Sequence, residues 1–359
     1  MSSISHYTFM KHALALAALG RCTVSPNPMV GCVIVQNNKV VGEGFHQKAG
    51  EAHAEIIALQ KAGKKARGSV LYVTLEPCCH YGKTSPCVNA LIEAGIQKII
   101  VACLDPNPLV SGGGVRLLRA AGIVVEVGLC EVEAIALNEI FFHYMQYRRP
   151  FVICKWAMSL DGKTIVNKGD DKKISGVAAQ KSTHQLREQV DAILIGANTA
   201  RDDNPTLTAR KIPGNTLCEK QPIRIVLCGA RSLLPTLNLL DSHHQLKTIL
   251  VTTEKNKSIF QSLQSDYVEL LVVAEKNNTV SILDLLTVLA EKEITSLLVE
   301  GGMTTHQLFL KENCVNKTRV TVSPIMIGVA ESKKKVTVKT LSSMDSDFCF
   351  LIDNEAVYV

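Results

Sequence analysis

Short apolar runs rich in valine and isoleucine alternate with helix-patterned segments along nearly the whole chain. A buried strand needs a run of that kind and the helices supply crossovers between strands, so the alternation predicts an α/β architecture. In the first half, the predicted strands are residues 30–35, 40–45, 70–75, 98–103 and 123–127. The predicted helices there are residues 6–19, 54–62, 86–94, 115–121 and 131–147. Asn37 and Asn38 predict a hairpin turn, so the first sheet should be mixed.

A domain boundary is predicted at Tyr147-Arg148-Arg149-Pro150, where a long helix meets basic residues and a proline that discourages its continuation. A chain of 359 residues is also long for one domain. We therefore predict one domain at residues 1–147 and a second at residues 148–359. The predicted strands of the second are residues 151–157, 192–196, 223–228, 247–252, 268–273 and 295–299. Its predicted helices are residues 282–291 and a helix from about residue 304.

Composition argues against several classes of protein. No apolar run approaches the ~18–20 residues of a membrane span, so we expect no membrane partner. The apolar stretch at residues 12–20 is short and is followed by Arg21, which favours an amphipathic first helix over a signal peptide. Twelve scattered cysteines favour reduced thiols and a cytoplasmic location. The net charge of +6 includes no basic run above three residues, which favours anionic small molecules over nucleic acid as partners.

The strongest chemical signal in the first half is a His-x-Glu pair that opens a predicted helix, followed by a Pro-Cys segment and a further cysteine. This order is typical of zinc deaminases that act on nucleobase-like rings. One imidazole and two thiolates hold Zn²⁺ and leave a fourth position for a water, whose pKa zinc lowers towards roughly 7. We predict His53, Cys78 and Cys87 as zinc ligands. Glu55, too close to His53 to bind the same metal easily, is the predicted proton shuttle.

Other interpretations of these residues are open. A lone His-x-Glu often marks only a helix start, and nearby cysteines are often inert thiols. Cys78 and Cys87 could also form a closed structural zinc site with Cys79 and His80, which would have no catalytic water. That site would give the His53-x-Glu55 pair no role in metal binding or catalysis. We favour the catalytic interpretation and assign Cys79 and His80 mainly to packing.

The general deaminase pattern has two residues between the cysteines, whereas eight stand between Cys78 and Cys87. This longer loop, together with residues 25–32 (SPNPMVGC), 42–46 (GEGFH) and 105–108 (DPNP), resembles the bifunctional deaminase/reductases of riboflavin biosynthesis, the RibD family. The resemblance implies a cytidine-deaminase-like three-layer α/β/α domain and a phosphorylated ribosylaminopyrimidine substrate. It also implies that Asn27 and His46 line the pyrimidine pocket and that Lys83 lies near the phosphate.

Two glycine-rich segments could suggest nucleotide binding. Gly112–Gly114 lacks the G-x-G-x-x-G spacing and a suitably placed acidic partner, so we interpret it as a loop. Glu300-Gly301-Gly302 joins a predicted strand to a helix, where free N–H groups can bind phosphate. By itself this second signal is weak, because such turns are ordinary connections.

The second half resembles the reductase domain of the same family, with a dihydrofolate-reductase-like fold, at residues 155–163 (KWAMSLDGK), 191–199 (DAILIGANT), 202–208 (DDNPTLT) and 300–302 (EGG). The resemblance implies that NADPH contacts Ala157, Lys173, Thr199, Asp203, Gly302, Met303, Thr304, Thr305, His306, Gln307 and Leu308. The substrate residues that it implies are Lys155, Asp171, Arg187, Leu207, Arg210 and Glu300. In this scheme the arginines pair the phosphate by forked hydrogen bonds. Lys155 faces the ribose, whose ring-opened C1′ receives a hydride from NADPH.

Two positions depart from the family pattern, because Asp171 and Lys173 stand where a serine and a tryptophan are usual. We therefore keep a deaminase with a degenerate reductase domain as an alternative to a bifunctional enzyme. A remoter alternative is an RNA-editing or nucleic-acid-binding zinc protein, which would need a basic, aromatic surface for the strand. A homo-oligomer is left open, because interfaces leave no signature in this composition.

Overall fold

The computed structural model describes residues 3–79, 86–108, 110–164, 175–241, 245–327, 334–335 and 348–353. The chain divides into two compact units, Met1–Arg148 and Arg149–Val359. Within the described residues, no helix is both long and apolar enough to cross a membrane.

The first unit contains one five-stranded sheet in the order β2-β1-β3-β4-β5. Its strands are β1 (Gly31–Gln36), β2 (Lys39–Phe45), β3 (Val70–Val73), β4 (Lys98–Val101) and β5 (Val124–Val127). Its helices are α1 (Ser3–Ala17), α2 (Ala54–Ala62), α3 (Cys87–Glu93), α4 (Gly113–Ala120), α5 (Glu131–Leu137) and α6 (Glu139–Tyr147). The strand β1 runs antiparallel to β2 and β3, while β3, β4 and β5 are parallel, so the predicted mixed sheet is confirmed.

Alternating side chains of β1 belong to two separate hydrophobic cores, because successive residues of a strand point to opposite faces of the sheet. Cys32 and Ile34 pack with the buried side of α2, whereas Val33 and Val35 pack with α1. All four side chains are fully buried. Helices therefore cover both faces of the sheet, which is the predicted three-layer α/β/α arrangement.

The helix predicted at residues 131–147 is wrong in one respect. It is broken into α5 and α6 at Asn138, whose backbone has φ −106° and ψ 23°. The buried Asn138 side chain bonds to the distant backbone of Met29. This tertiary contact is not visible in the local apolar pattern.

The second unit contains an eight-stranded sheet in the order β12-β11-β10-β7-β15-β6-β16-β19. The strands of this sheet are β6 (Phe151–Ser159), β7 (Ala192–Gly196), β10 (Ile223–Leu227), β11 (Thr248–Thr252), β12 (Val268–Val272), β15 (Ser296–Val299), β16 (Lys317–Ser323) and β19 (Phe348–Asp353). Short two-residue strands form three small ribbons: β8 (Arg210–Lys211) with β9 (Thr216–Leu217), β13 (Glu275–Lys276) with β14 (Thr279–Val280), and β17 (Ile325–Met326) with β18 (Lys334–Lys335). The helices are α7 (Val177–Gln189), α8 (Ala197–Asp203), α9 (Lys257–Phe260), α10 (Ile282–Glu291) and α11 (Met303–Lys311).

All neighbours in this sheet are parallel except the final pair, β16 and β19. Its core packs alternate side chains of β6, β7, β10 and β15 against α10 and α11. Because β7 and β15 are adjacent and parallel, the turns that follow them lie at the same edge of the sheet. That edge carries the candidate site of the second unit.

Candidate functional sites

Three side chains from separate segments of the first unit meet at one point. His53 is the N-cap of α2, Cys78 follows β3, and Cys87 is the first residue of α3. Nδ1 of His53 lies 3.2 Å from Sγ of Cys87 and 3.5 Å from Sγ of Cys78. The possible ligand atoms of the three residues all lie within 4.8 Å of one another, and no other such group of metal-binding side chains occurs in the described part of the chain.

These separations fit a tetrahedral zinc site. Zinc bonds of about 2.0–2.1 Å to nitrogen and about 2.3 Å to sulfur place an imidazole and a thiolate roughly 3.5 Å apart. His53, Cys78 and Cys87 therefore form a three-donor set, and Nδ1 is the ring nitrogen that faces both sulfur atoms. Three protein donors leave a fourth position for water, as catalytic zinc sites require.

A hydrogen bond couples the two thiols, so the pKa of one is lowered and that of the other is raised. A hydrogen bond from Cys87, aided by His53, lowers the pKa of Cys78 to about 4. The same bond to Cys78, together with burial, raises the pKa of Cys87. The backbone N–H of Cys87 also donates to Sγ of Cys78 over 3.3 Å. These contacts therefore favour the thiolate form of Cys78, which is the form that binds a metal.

Glu55 lies in the first turn of α2, two residues after His53, and is only 3% exposed. Burial raises the pKa of its carboxyl group, with a further contribution from Cys78. The carboxylate is thus close to the three metal-binding side chains without being one of them. This placement suits a group that carries protons.

A hydrogen-bonded chain runs along the neighbouring wall. Nδ1 of His46 lies 3.2 Å from the carbonyl oxygen of Ala52, which can only accept, so Nδ1 carries the proton. Burial lowers the pKa of His46, so its ring is neutral and Nε2 accepts from the Asn27 amide nitrogen at 3.0 Å. The Asn27 carbonyl oxygen then has no protein partner among the described residues and is left to accept from a ligand. The His46 and His53 rings meet edge to face, with centroids 5.4 Å apart.

Glu76 is a residue that sequence reasoning did not assign to the site. Its carboxylate accepts from three backbone N–H groups: Oε2 from Asp105 at 3.2 Å and Gly112 at 2.9 Å, and Oε1 from Val115 at 3.1 Å. The side chain is 4% exposed and immediately precedes Pro77-Cys78. It therefore fastens the zinc-binding segment to the start of α4.

The glycines at the start of α4 permit this close approach. A Cβ on Gly114 would lie 2.1 Å from the carbonyl oxygen of Pro77, and one on Gly113 would lie 2.9 Å from Sγ of Cys79. The segment Gly112–Gly114, expected to be a loop, instead begins helix α4 at Gly113. An acidic residue before Pro-Cys, together with a glycine triplet before a helix, is the signal that could have revealed this contact.

Four residues discussed in the sequence analysis lie outside the part of the chain that the structure describes. Lys83 and His80 lie in the undescribed segment 80–85, and Asp171 and Lys173 lie in the undescribed segment 165–174. Cys79 is described, and Sγ is 3.9 Å from the Val110 carbonyl oxygen.

In the second unit, the turns after β7 and β15 pack against each other. The backbone N–H of Gly302 donates to Oγ1 of Thr199 over 3.2 Å. A Cβ on Gly196 would lie 2.6 Å from Oγ1 of Thr305, and one on Gly301 would lie 2.8 Å from Cβ of Thr305. The glycines therefore let α11 begin directly against the β7 turn, where its free N–H groups suit a phosphate.

The residues predicted to contact NADPH differ in exposure. Ala157, Thr199 and Leu308 are half-buried, and Thr305 and His306 are buried. The exposed ones are Asp203, Gly302, Met303, Thr304 and Gln307. The ring of His306 lies against Trp156, with centroids 5.2 Å apart, and burial lowers the pKa of this histidine to about 4. His306 is thus a neutral ring beneath the turn.

Glu300 and Arg187 form a two-pronged ion pair beside that turn. Nε and Nη2 of Arg187 donate to the two carboxylate oxygens over 2.9 and 2.7 Å, and Nη1 donates to the Thr208 carbonyl over 3.1 Å. Burial by itself would raise the pKa of Glu300, but the charge and hydrogen bonds of Arg187, aided by Lys155, hold this pKa at about 2. The carboxylate is therefore ionised at neutral pH.

Arg210 is surrounded by neutral oxygens. Its guanidinium donates to the hydroxyls of Thr208 and Thr206 over 2.8 and 3.2 Å and to the Asn215 side-chain oxygen over 3.1 Å. Among the described residues, none of the hydrogen-bond partners of Arg210 is acidic, so its positive charge is available to an anion. Leu207, between the two threonines, is 3% exposed and has φ 53°, a left-handed conformation that is rare for a branched residue.

Comparison with known proteins matches each of the two units to a known protein family. A family model described as "Cytidine and deoxycytidylate deaminase zinc-binding region" matches residues 3–103, and one described as "RibD C-terminal domain" matches residues 150–346. The riboflavin biosynthesis protein RibD of Aquifex aeolicus is 43% identical over 320 residues, which cover 89% of this chain and 87% of that protein. The RibD protein of Actinobacillus pleuropneumoniae is 39% identical over 338 residues, which cover 94% of this chain and 88% of that protein.

Solved structures agree with this result. Acinetobacter baumannii RibD superimposes with a TM-score of 0.82 at 34% identity, over 98% of this chain and 99% of that one. The diaminohydroxyphosphoribosylaminopyrimidine deaminase/5-amino-6-(5-phosphoribosylamino)uracil reductase of Thermotoga maritima gives the same TM-score and identity, over 97% and 98%. The predicted cytidine-deaminase-like and dihydrofolate-reductase-like fold classes are confirmed.

Proposed function

The chain belongs to the RibD family of bifunctional riboflavin-biosynthesis enzymes, and we propose that residues 1–147 carry its deaminase activity and residues 148–359 its reductase activity. It is a zinc-dependent deaminase and an NADPH-dependent reductase that acts on small phosphorylated pyrimidines. The first reaction is hydrolytic deamination of the diaminohydroxyphosphoribosylaminopyrimidine. The second is reduction of the ribosyl group of 5-amino-6-(5-phosphoribosylamino)uracil to ribityl.

The deaminase proposal rests on one observation, the convergence of His53, Cys78 and Cys87 beside the buried Glu55. These three residues would hold the zinc ion. Zinc, when bound, lowers the pKa of a water towards about 7 and so makes a nucleophile available at neutral pH. Glu55 takes the two protons of that water in turn, giving the first to the ring nitrogen and the second to the amino group, which leaves as ammonia. Asn27 and His46 orient the pyrimidine, with the Asn27 carbonyl oxygen accepting from the ring edge.

In the reductase unit, two groups of residues at the sheet edge after β7 and β15 bind the two ligands, NADPH and the substrate. The α11 N-terminus with Thr199, Asp203 and Ala157 binds NADPH, which supplies the hydride. Lys155, Glu300 and the Leu207 backbone hold the ribose side of the substrate. Arg210, whose hydrogen-bond partners among the described residues are neutral, takes the phosphate, and Asp171 and Lys173, which lie outside the described residues, complete the substrate set and the NADPH set respectively. Lys83, also outside the described residues, is assigned to the phosphate of the deaminase substrate instead.

We also propose a cytoplasmic location and a homo-oligomer. The location is supported by the free thiols of all eleven cysteines whose side chains are described. The oligomer is supported by edge strand β5, where Val124 and Val127 are exposed and where exposed Leu104 lines the same surface depression as Val127. Sedimentation of the purified protein would decide the oligomeric state.

A coupled assay tests the bifunctional assignment. We expect the purified protein to release ammonia from the diaminohydroxyphosphoribosylaminopyrimidine and to oxidise NADPH only after deamination, with a product heavier by two hydrogens. Chelation should stop ammonia release but leave reduction of the deaminated pyrimidine intact. Ammonia release by the chelated protein would overturn the zinc assignment. Ammonia release without the two-hydrogen gain would indicate an inactive reductase unit, as the departures at Asp171 and Lys173 allow.

A further inference from the structure

Asn138 makes a paired contact across the first unit. Its Oδ1 accepts from the backbone N–H of Met29 over 2.7 Å, and its Nδ2 donates to the Met29 carbonyl over 2.9 Å. The two residues are 109 positions apart in the chain. The amide thus satisfies both backbone groups of Met29 at once, as a neighbouring strand would, although β1 begins only at Gly31.

The backbone around Asn138 fixes the direction of this side chain. Its N–H donates to the carbonyls of Ala134 and Ile135, which ends α5, and its carbonyl accepts from Phe142, which starts α6. The residue is 2% exposed. The helix is interrupted at residue 138, so the Asn138 side chain belongs to the junction between α5 and α6.

The segment that Asn138 holds is stiff and leads to the pyrimidine wall. Asn27 is flanked by Pro26 and Pro28, which fix their own φ angles, and a residue before proline is restricted to extended conformations. Few torsions therefore separate Met29 from the Asn27 side chain. The other end is tied by the Asn27 N–H to the Val24 carbonyl at 2.8 Å.

We propose that Asn138 is a positioning residue for deamination: by clamping Met29 it sets the Asn27 amide against His46, and so sets the acceptor that meets the pyrimidine. This inference rests on the proposed role of Asn27 in the deaminase unit. Asn138 itself is placed to contact neither substrate nor zinc. Its effect is on how well the pyrimidine is bound and oriented.

A double-mutant cycle on the full-length, zinc-loaded protein tests this role. We expect Asn138→Leu, which keeps the bulk but loses both hydrogen bonds, to raise the KM for the pyrimidine about tenfold with a smaller change in kcat. Asn27→Ala should do the same. The double variant should be no worse than Asn27→Ala alone, because residues that act through one another are not additive. KM is independent of the folded fraction, so partial misfolding does not obscure the result.

The matched control is Leu118→Ala, a fully buried change in α4 that lowers stability without removing either hydrogen bond between Asn138 and Met29. It should leave the KM for the pyrimidine unchanged. An unchanged KM in Asn138→Leu would overturn the inference, as would a double variant whose KM rises by the product of the two single effects. In both cases ammonia release by the wild type keeps the deaminase assignment intact. No ammonia release by the wild type would overturn that assignment and this inference with it.

Discussion

Arg187 donates two parallel hydrogen bonds of 2.9 and 2.7 Å to the Glu300 carboxylate, and both side chains are largely buried. The resemblance to the family implies that this arginine pairs a substrate phosphate through its forked donors. In the structure the Nε and Nη2 side of the guanidinium is used within the protein. Arg210, whose hydrogen-bond partners in the described part of the chain are all neutral oxygens, has more unneutralised charge to offer. The two arginines therefore differ in what they can do for an anion.

The Glu300 pair predicts an acid-dependent loss of stability in the second unit. Folding lowers the pKa of Glu300 from its ordinary 4.5 to about 2, so between these values the folded protein binds fewer protons than the unfolded chain. The stabilisation is complete above about pH 5 and declines as the pH falls towards 2. We expect about 2 kcal/mol to be lost by pH 3.

The measurement is urea unfolding followed by fluorescence of Trp156, the only tryptophan of the chain, which reports on this unit. Glu300→Gln should be less stable at pH 7 but should lose less between pH 5 and pH 3. Parallel pH profiles for the variant and the wild type would contradict the ion-pair account.

Replacing Glu55 by glutamine should abolish proton transfer without removing zinc. The amide keeps the size of the buried side chain but cannot take a proton from water, and acid–base groups of this kind contribute about 10²–10⁴-fold in rate. We expect ammonia release to fall by about 10³-fold while the zinc content stays at one ion per chain. Reduction of the deaminated pyrimidine serves as the internal control. Unimpaired deamination would exclude Glu55 as the proton shuttle.

Removing the Glu76 carboxylate should loosen the zinc-binding segment. Glu76→Leu leaves the N–H groups of Asp105, Gly112 and Val115 without their acceptor, and each unsatisfied buried group costs about 1–3 kcal/mol. We expect a lower melting temperature and faster transfer of zinc to a chromogenic chelator. Leu118→Ala, which destabilises the same unit from its core, provides the comparison. Equal zinc release from the two variants at equal stability would refute a specific role of Glu76.

Space for Thr305 explains why Gly196 is a glycine. A Cβ at residue 196 would lie 2.6 Å from Oγ1 of Thr305 but 4.0 Å from its Cβ. Gly196→Ala should therefore displace the start of α11 and weaken NADPH binding about tenfold. Thr305→Ala in the same chain removes the clashing oxygen and should restore most of the affinity. Fluorescence titration with NADPH measures both effects, and a double variant no better than the single one would disprove the steric explanation.

Local sequence patterns predicted the elements that have strong periodicity. The helix Ala54–Ala62 and the strand Ala192–Gly196 have the expected bounds. Helix α7 was missed, because its sequence VAAQKSTHQLREQ has little apolar periodicity and it is tied down by Arg187 and His184. Strand β16 was missed because Lys317–Ser323 (KTRVTVS) contains no run of apolar residues, although its last four residues are buried in the structure. Both elements depend on partners far away in the chain.

Residue types and their order were enough to indicate the chemistry, because zinc deamination needs one imidazole, two thiolates and a nearby carboxylate, and only a few kinds of side chain supply these groups. They also determined the α/β class, since strand and helix periodicities are local. Tertiary structure alone decided that Nδ1 of His53 faces both sulfurs, and that the fork of Arg187 turns to Glu300, 113 residues away. Such choices depend on distances set to a few tenths of an ångström between remote segments. A local pattern of residue types contains no information about them.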